Sequence, residues 1–229
     1  MLHKETVAPK TLDLIKRLAN EEYFNDFLLV GGTALSLQIG HRISIDIDLF
    51  TAKPFDSNQI AAYLQENFNA ESIKILKNGV FCFVEDVKVD VMSHQYPWVK
   101  PPFVDEGVIM SSLEDIGAMK LHAIVQSGSR LKDFIDVFFL LEKMSFNRML
   151  NAYQHKYPDT NKEVVRKALL YHDDIKASTI DLIGKPIDLS TISVRLKDAL
   201  INSNKLFNQA STALDENLSP PKRRKGRGI

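Results

Sequence analysis

A single cysteine, Cys82, stands in a chain of 229 residues. That excludes an internal disulfide and any zinc cage built from several thiolates. No apolar run approaches the roughly 18 residues that a membrane span needs, and the opening MLHKETVAPK lacks the apolar stretch of a signal peptide. These absences predict a soluble, cytoplasmic protein with no membrane partner. Net charge is missing too, since 29 Lys and Arg balance 29 Asp and Glu. The balance is uneven along the chain. Five of the bases lie in the last eight residues, which contain no acid, leaving residues 1–221 with 24 basic against 29 acidic side chains. A mildly acidic body does not suit a general nucleic-acid coat, and the tail PPKRRKGRGI either touches RNA phosphates or is simply a solvated end. What is present is globular: 45% hydrophobic and 25% charged residues, enough for one compact domain or two small ones.

Hydrophobic spacing divides the chain. Residues 11–23 place Leu12, Ile15, Leu18 and Ala19 at helical intervals. FLLVGG (27–32) reads as a buried strand entering a tight turn, and TALSLQIG (33–40) as a short helix stopped by Gly40. RISIDIDLF (42–50) alternates, with Ile43, Ile45, Ile47 and Leu49 on one side and Ser44, Asp46 and Asp48 on the other, which predicts one strand. Asp56 or Ser57 can cap a helix to about Phe68, and three strands follow to Met92, turned at Asn78-Gly79 and Glu85-Asp86. The segment YPWVKPPFVDEG, with three prolines, is expected to be irregular. Ser111 and Glu114 form a capping-box pattern opening a helix to about Val125. Another helix covers about Lys132 to Met144, and residues 147–210 read as helices broken near Tyr157-Pro158 and Gly184-Lys185-Pro186. The expected organisation is an α/β core over 1–110, an all-helical part over 111–212, and a basic, disordered tail over 213–229.

Chemistry concentrates in three carboxylates. Asp46 and Asp48, two apart on a strand, leave one face about 7 Å apart. Carboxylates that close repel unless a cation lies between them, and hard oxygen ligands on a rigid strand suit Mg²⁺. A solvated edge strand is the plainer alternative for an isolated Asp-x-Asp. Upstream, the turn Gly31-Gly32-Thr33 joins a buried strand to a helix N-terminus, a place where backbone N–H groups meet phosphate. Asp90 sits between Val89 and Val91 on a later strand. If the two strands are neighbours, Asp46, Asp48 and Asp90 face a phosphate-binding turn, the arrangement of metal-assisted phosphoryl transfer.

LVGGTALSLQIGHRISIDIDLF resembles the signature of the AbiEii/AbiGii nucleotidyltransferase toxins, within the polymerase-β-like nucleotidyltransferase superfamily. Lys120-Leu121-His122-Ala123 and Arg130-Leu131-Lys132-Asp133-Phe134-Ile135-Asp136 match the family's later motifs in the same order, so the likeness spans residues 28–141. The resemblance implies an α+β fold: a nucleotidyltransferase mixed sheet with helices, followed by the helical half. It also implies NTP as substrate, Mg²⁺ held by Asp46, Asp48 and Asp90, and an RNA acceptor, above all a tRNA 3′ end. The protein would then be the toxin of a toxin–antitoxin or abortive-infection system with a cognate antitoxin. It assigns catalysis to Asp46, Asp48, Asp90, Lys120 and Asp133, and nucleotide binding to Gly31, Gly32, Thr33, Arg42, Lys120 and Asp136.

Each assignment has a structural alternative. Lys120 interrupts the apolar helical stripe of Leu113, Ile116 and Ile124, so it faces either a ligand or a structural acid. Asp133 and Asp136 near a helix N-terminus are also favourable dipole partners. Arg42 contacts phosphate or pairs with an acid, and Thr33 contacts phosphate, is modified, or caps a helix. His41, His94 and His122 lack ligand spacing and are read as structural; Trp98 stacks a base or packs. Two other functions use the same residues: a nucleotidyltransferase with a small-molecule or protein acceptor, and a non-catalytic nucleotide-binding module of this fold.

Overall fold

The computed structural model describes residues 1–172, 175, 179–184 and 186–208. The basic tail and Lys185 lie outside the described residues. The elements run α1 (Pro9–Ala19), β1 (Leu28–Leu29), α2 (Gly31–Ile39), β2 (Ile47–Thr51), α3 (Ser57–Phe68), β3 (Glu71–Leu76), β4 (Gly79–Val84) and β5 (Val87–Ser93). A hairpin, β6 (Phe103–Asp105) and β7 (Val108–Met110), then precedes α4 (Leu113–Ser127), α5 (Leu131–Leu140), α6 (Phe146–Lys156), α7 (Lys162–Ala168) and α8 (Leu189–Ile201).

The strands form one mixed sheet in the order β3-β4-β5-β2-β1-β7-β6. Its interior strands are two-faced. Ile47 and Leu49 of β2, with Val87, Val89 and Val91 of β5, are buried on one side, where Ile15 of α1 and Leu49 wall a common small space. Asp48, Phe50, Asp90 and Met92 take the other side, as period-two alternation requires. β2 and β5 run parallel, and their register sets Asp48 directly beside Asp90 and Phe50 beside Met92. α4 is the central helix of the second half, packed on α2, α5, α6 and α7.

The structure corrects several sequence expectations. The strand expected over 42–50 begins only at Ile47. Residues 43–46 spend their backbone bonds elsewhere: Ile43 N–H donates to the Asp181 carbonyl and Ser44 N–H to the Thr6 carbonyl, so Ile45 is left 67% exposed. The proline-rich segment is irregular only to Pro102, after which β6 and β7 pair; a hairpin needs only that no proline fall on its ladder positions. The α4 cap is Ser112, not Ser111; the Ser112 hydroxyl accepts from Asp115 N–H and donates to the Asp115 carboxylate. The described residues between α7 and α8 contain no helix, and Leu182 there bridges to Arg42 in antiparallel fashion. Helical hydrophobic spacing alone missed that return to the sheet side.

One feature of the helical half had no sequence signal. Lys156 and Asp115 form an ion pair at 2.9 Å with neither side chain exposed. Lys156 also donates to the Pro97 carbonyl and lies 4.3 Å from the Trp98 ring centre, while Asp115 accepts from Val99 and Lys100 N–H. The pair thus fastens the proline-rich segment to α4 and α6, and Trp98 packs there, outside the cavity described below.

Candidate active site

A cavity of about 290 Å³ opens on the polar side of β2 and β5. Its floor carries Asp46, Asp48 and Phe50, together with Lys88, Asp90 and His94; Gly31, Gly32 and Arg42 form one wall, and α4 and α5 supply Lys120, His122, Lys132 and Asp133. A second space of about 330 Å³, between Ile39, Phe139, Ile183 and Ile187, contains none of these carboxylates.

The Gly31-Gly32 pair is set by crowding. Gly31 has φ +70°, and a Cβ there would overlap the Asp48 carboxylate; a Cβ on Gly32 would overlap the Arg42 guanidinium. The backbone of the α2 N-terminus is therefore bare where it approaches both the acid and the cation. Thr33 does not line the cavity. It is 1% exposed, donates to the Asp46 carbonyl and meets Ser44 Oγ at 2.9 Å, so it fixes the segment carrying Asp46. Its hydroxyl is thus engaged with the segment carrying Asp46 rather than open to the cavity.

Asp136 is likewise no wall residue. It is 0% exposed and receives three groups: Arg42 through Nε (2.7 Å) and Nη2 (3.0 Å), Lys120 Nζ at 2.6 Å, and His41 Nε2 at 2.8 Å. Burial pulls its pKa upward, but Lys120, Arg42 and the hydrogen bonds outweigh it and hold the carboxyl well below the usual range. His41 moves the other way, kept neutral by burial, which assigns its proton to the nitrogen facing Asp136. Lys120 also donates to Asp133 at 2.9 Å, and Asp133 accepts from Arg130 Nε at 2.8 Å. Asp136 is the hidden anchor; Lys120 and Arg42 reach the cavity from it. With its oxygens engaged by these cations and His41, Asp136 lies behind the wall that Lys120 and Arg42 form.

Asp48 is electrostatically uncomfortable. Burial first, then the neighbouring Asp90, pushes its carboxyl up to about 6, with Lys120 opposing and Asp46 adding a smaller push. Asp90 is paired to Lys88 through Oδ2, while its buried Oδ1 has no hydrogen-bond partner among the described residues. Two adjacent carboxylates, one raised and one with an orphaned oxygen, fit a divalent cation held by one or two acids with water or phosphate completing its shell. Among the described residues no group of three or more acidic, histidine or cysteine side chains closes as a cage. The fit is therefore to the Asp48–Asp90 pair, and Asp46 lines the cavity floor beside it.

Sequence reading missed the far end of the cavity. His122 stacks on Tyr157 (centroids 4.2 Å apart, planes 15°), His94 Nε2 meets the Tyr157 hydroxyl at 2.9 Å, and Phe50 lies 5.8 Å from the His94 ring. Only the i, i+2 spacing of Phe50 from Asp48 and of His94 from Met92 could have signalled this; Tyr157, which follows α6 directly, could not be placed.

A family model described as the nucleotidyl transferase AbiEii toxin of type IV toxin–antitoxin systems matches residues 13–220. An uncharacterized protein of Aquifex aeolicus (strain VF5) is 33% identical over 158 residues, which cover 66% of this chain and 76% of that protein. Two solved structures share the fold. A provisionally named nucleotidyltransferase of H. pylori superposes with a TM-score of 0.50 at 18% identity, over 86% of this chain and 96% of its own. JHP933 from Helicobacter pylori gives 0.51 at 19% identity, over 91% and 97%.

Proposed function

Because the chain belongs to the AbiEii nucleotidyltransferase toxin family, we propose that it transfers a nucleotide from an NTP, with Mg²⁺, to the 3′ end of an RNA, tRNA foremost. It would do so in the cytoplasm, as a toxin restrained by a cognate antitoxin. The observation that carries the reading is the Asp48–Asp90 pair, side by side on β2 and β5 within one cavity with Lys120 and the bare Gly31-Gly32 turn. In this reading residues 1–110 act as the nucleotidyltransferase core, and residues 111–212 complete the site through Lys120 and Asp133.

The division of labour follows from charge. Asp48 and Asp90, with Asp46 beside them, would hold Mg²⁺. A divalent ion there offsets phosphate charge and favours the ionised form of an attacking hydroxyl. The α2 N-terminus, Arg42 and Lys120 meet the triphosphate, and Arg130 and the exposed Lys132 extend the cationic wall. A cation held in place before the substrate arrives needs no reorganisation as charge develops on the leaving pyrophosphate. Asp136 and Asp133 supply that positioning.

The test incubates the purified chain with each α-labelled NTP, Mg²⁺ and total RNA, and follows the label. Labelled RNA, lost in Asp48→Asn and Asp90→Asn variants that remain folded, is the expected result. Label on a protein or small molecule instead would replace the acceptor while keeping the transferase.

A further inference from the structure

The cavity is polarised along its strands. On β5 and just beyond it, Lys88, Asp90, Met92 and His94 alternate onto the cavity side; on β2 the series is Asp48 then Phe50, with Asp46 just before the strand. Because the strands are parallel and in register, both series change from charged to aromatic in the same direction, about 7 Å per pair of residues. Gly31, Gly32, Arg42 and Lys120 gather near the charged end, where Gly31 abuts Asp48 and Gly32 abuts Arg42. The other end is walled by Phe50, His94, His122 and Tyr157.

In-line displacement assigns the two ends different substrates. The acceptor hydroxyl oxygen bonds to the α-phosphorus while the bond from that phosphorus to the bridging oxygen breaks. Pyrophosphate leaves with the electron pair, and the hydroxyl proton passes to a carboxylate of the site. Attacking and leaving oxygens lie on opposite sides of the phosphorus, and the NTP's own nucleoside lies off that line. If the β- and γ-phosphates occupy the cationic end, the acceptor must enter from the aromatic end.

We propose that Phe50, His94 and His122 form an acceptor subsite that stacks the terminal nucleobase of an RNA 3′ end, with Tyr157 beneath them as the positioning residue. The inference rests on the transferase reading above and adds to it the part of the acceptor that is recognised. Tyr157 is 2% exposed, so it offers little face of its own; it holds His122 by stacking and His94 by a hydrogen bond. Burial, then Lys156 and His122, lowers the His94 pKa to about 4, and burial lowers that of His122. Both rings are therefore uncharged near neutral pH and present flat faces that tolerate any base. The cation that acts on His94, Lys156, is itself buried and paired with Asp115 outside the cavity, so the rings offer flat faces rather than a free charge for phosphate.

The test uses Phe50→Leu and His122→Leu, which keep bulk but remove the flat faces, with circular dichroism to establish folding. Two readouts are taken: the KM for tRNA in nucleotide transfer, and the affinity of a short RNA oligonucleotide carrying either a normal or an abasic 3′-terminal nucleotide. Wild-type protein should prefer the normal end by roughly tenfold, the scale of one lost stack. The variants should lose that preference and raise the tRNA KM by a similar factor, with the Kd for a non-hydrolysable NTP within twofold of wild type. Wild-type tRNA labelling with no preference for the base-bearing end overturns the subsite and leaves the transferase reading standing. A weakened NTP affinity with unchanged tRNA KM hands these rings to the NTP base and also overturns it. Label transferred to protein instead of RNA overturns the subsite and replaces the acceptor while the transferase reading stands, and no transfer from any NTP by the wild type removes both readings.

Discussion

Lys120 and Asp136 meet at 2.6 Å below the cavity wall, where neither is more than 7% exposed. A buried lysine is costly unless anions surround it. Here burial pulls its pKa down, but Asp136 and Asp133 together outweigh that and hold the amine protonated. Since Asp136 also binds Arg42, one hidden carboxylate fixes both cations that wall the charged end. Structural pairing and phosphate contact are thus compatible roles of one lysine.

Lys120→Met should leave the protein folded. Its two acids keep other partners, Asp136 with Arg42 and His41, and Asp133 with Arg130. Nucleotide transfer should fall by about two orders of magnitude or more, the scale of losing one pre-placed charge partner in a transition state. Thermal melting and initial rates measured together check this; a rate within threefold of wild type removes Lys120 from the site.

Asp136→Asn should be the more damaging change although Asp136 is buried behind the cavity wall. It leaves the Arg42 guanidinium and the Lys120 amine short of their common anion, a loss of about 3–5 kcal/mol for a broken buried pair. In protein that still folds at low temperature, the KM for NTP should rise. Chemical denaturation and NTP titration separate the two effects.

The carboxylates were legible in the sequence because period-two alternation places Asp48 and Asp90 on strand faces without further information. Their adjacency followed from the parallel register of β2 and β5, which no local pattern encodes. The hub at Asp136 was less legible: a helix-borne acid at i, i+3 from Asp133 looks the same whether it reaches solvent or a partner 94 positions away, as Arg42 is. Tyr157 was invisible for the same reason, since nothing near it in the chain announces His94 and His122. Segment 42–50 differs because side-chain alternation reports which way residues face, not where their backbone bonds go, and Ile43 and Ser44 make theirs to Asp181 and Thr6.

Lys156→Met should destabilise the protein by about 3–5 kcal/mol, because it leaves the Asp115 carboxylate in a dry interior without its ion partner, held only by hydrogen bonds from Ser112, Val99 and Lys100. Pairing it with Asp115→Asn should recover part of the loss, since the remaining amide demands less than a charge. A double-mutant cycle by urea denaturation measures the coupling. Additive effects would mean that the two side chains act separately on the proline-rich segment.

Asp48 predicts an unusual pH response. Its folded-state pKa of about 6 exceeds the ordinary 3.8, so the folded protein holds that proton more tightly than the unfolded chain. The resulting stability is full below about pH 3.8 and is lost as the pH rises through about 6. In EDTA, Asp48→Asn should therefore gain on the wild type across that window, by about 1–3 kcal/mol at 1.36 kcal/mol per unit. Other carboxylates, Asp136 foremost, lose stability in the opposite direction on acidification, so the difference between the two proteins is the quantity to read. Added Mg²⁺ should narrow the gap above pH 6, because a cation bound between Asp48 and Asp90 removes the repulsion that raised the pKa and favours only the wild-type pair. A gap that Mg²⁺ leaves unchanged would show that the repulsion is tolerated without an ion, and would take the metal away from this pair.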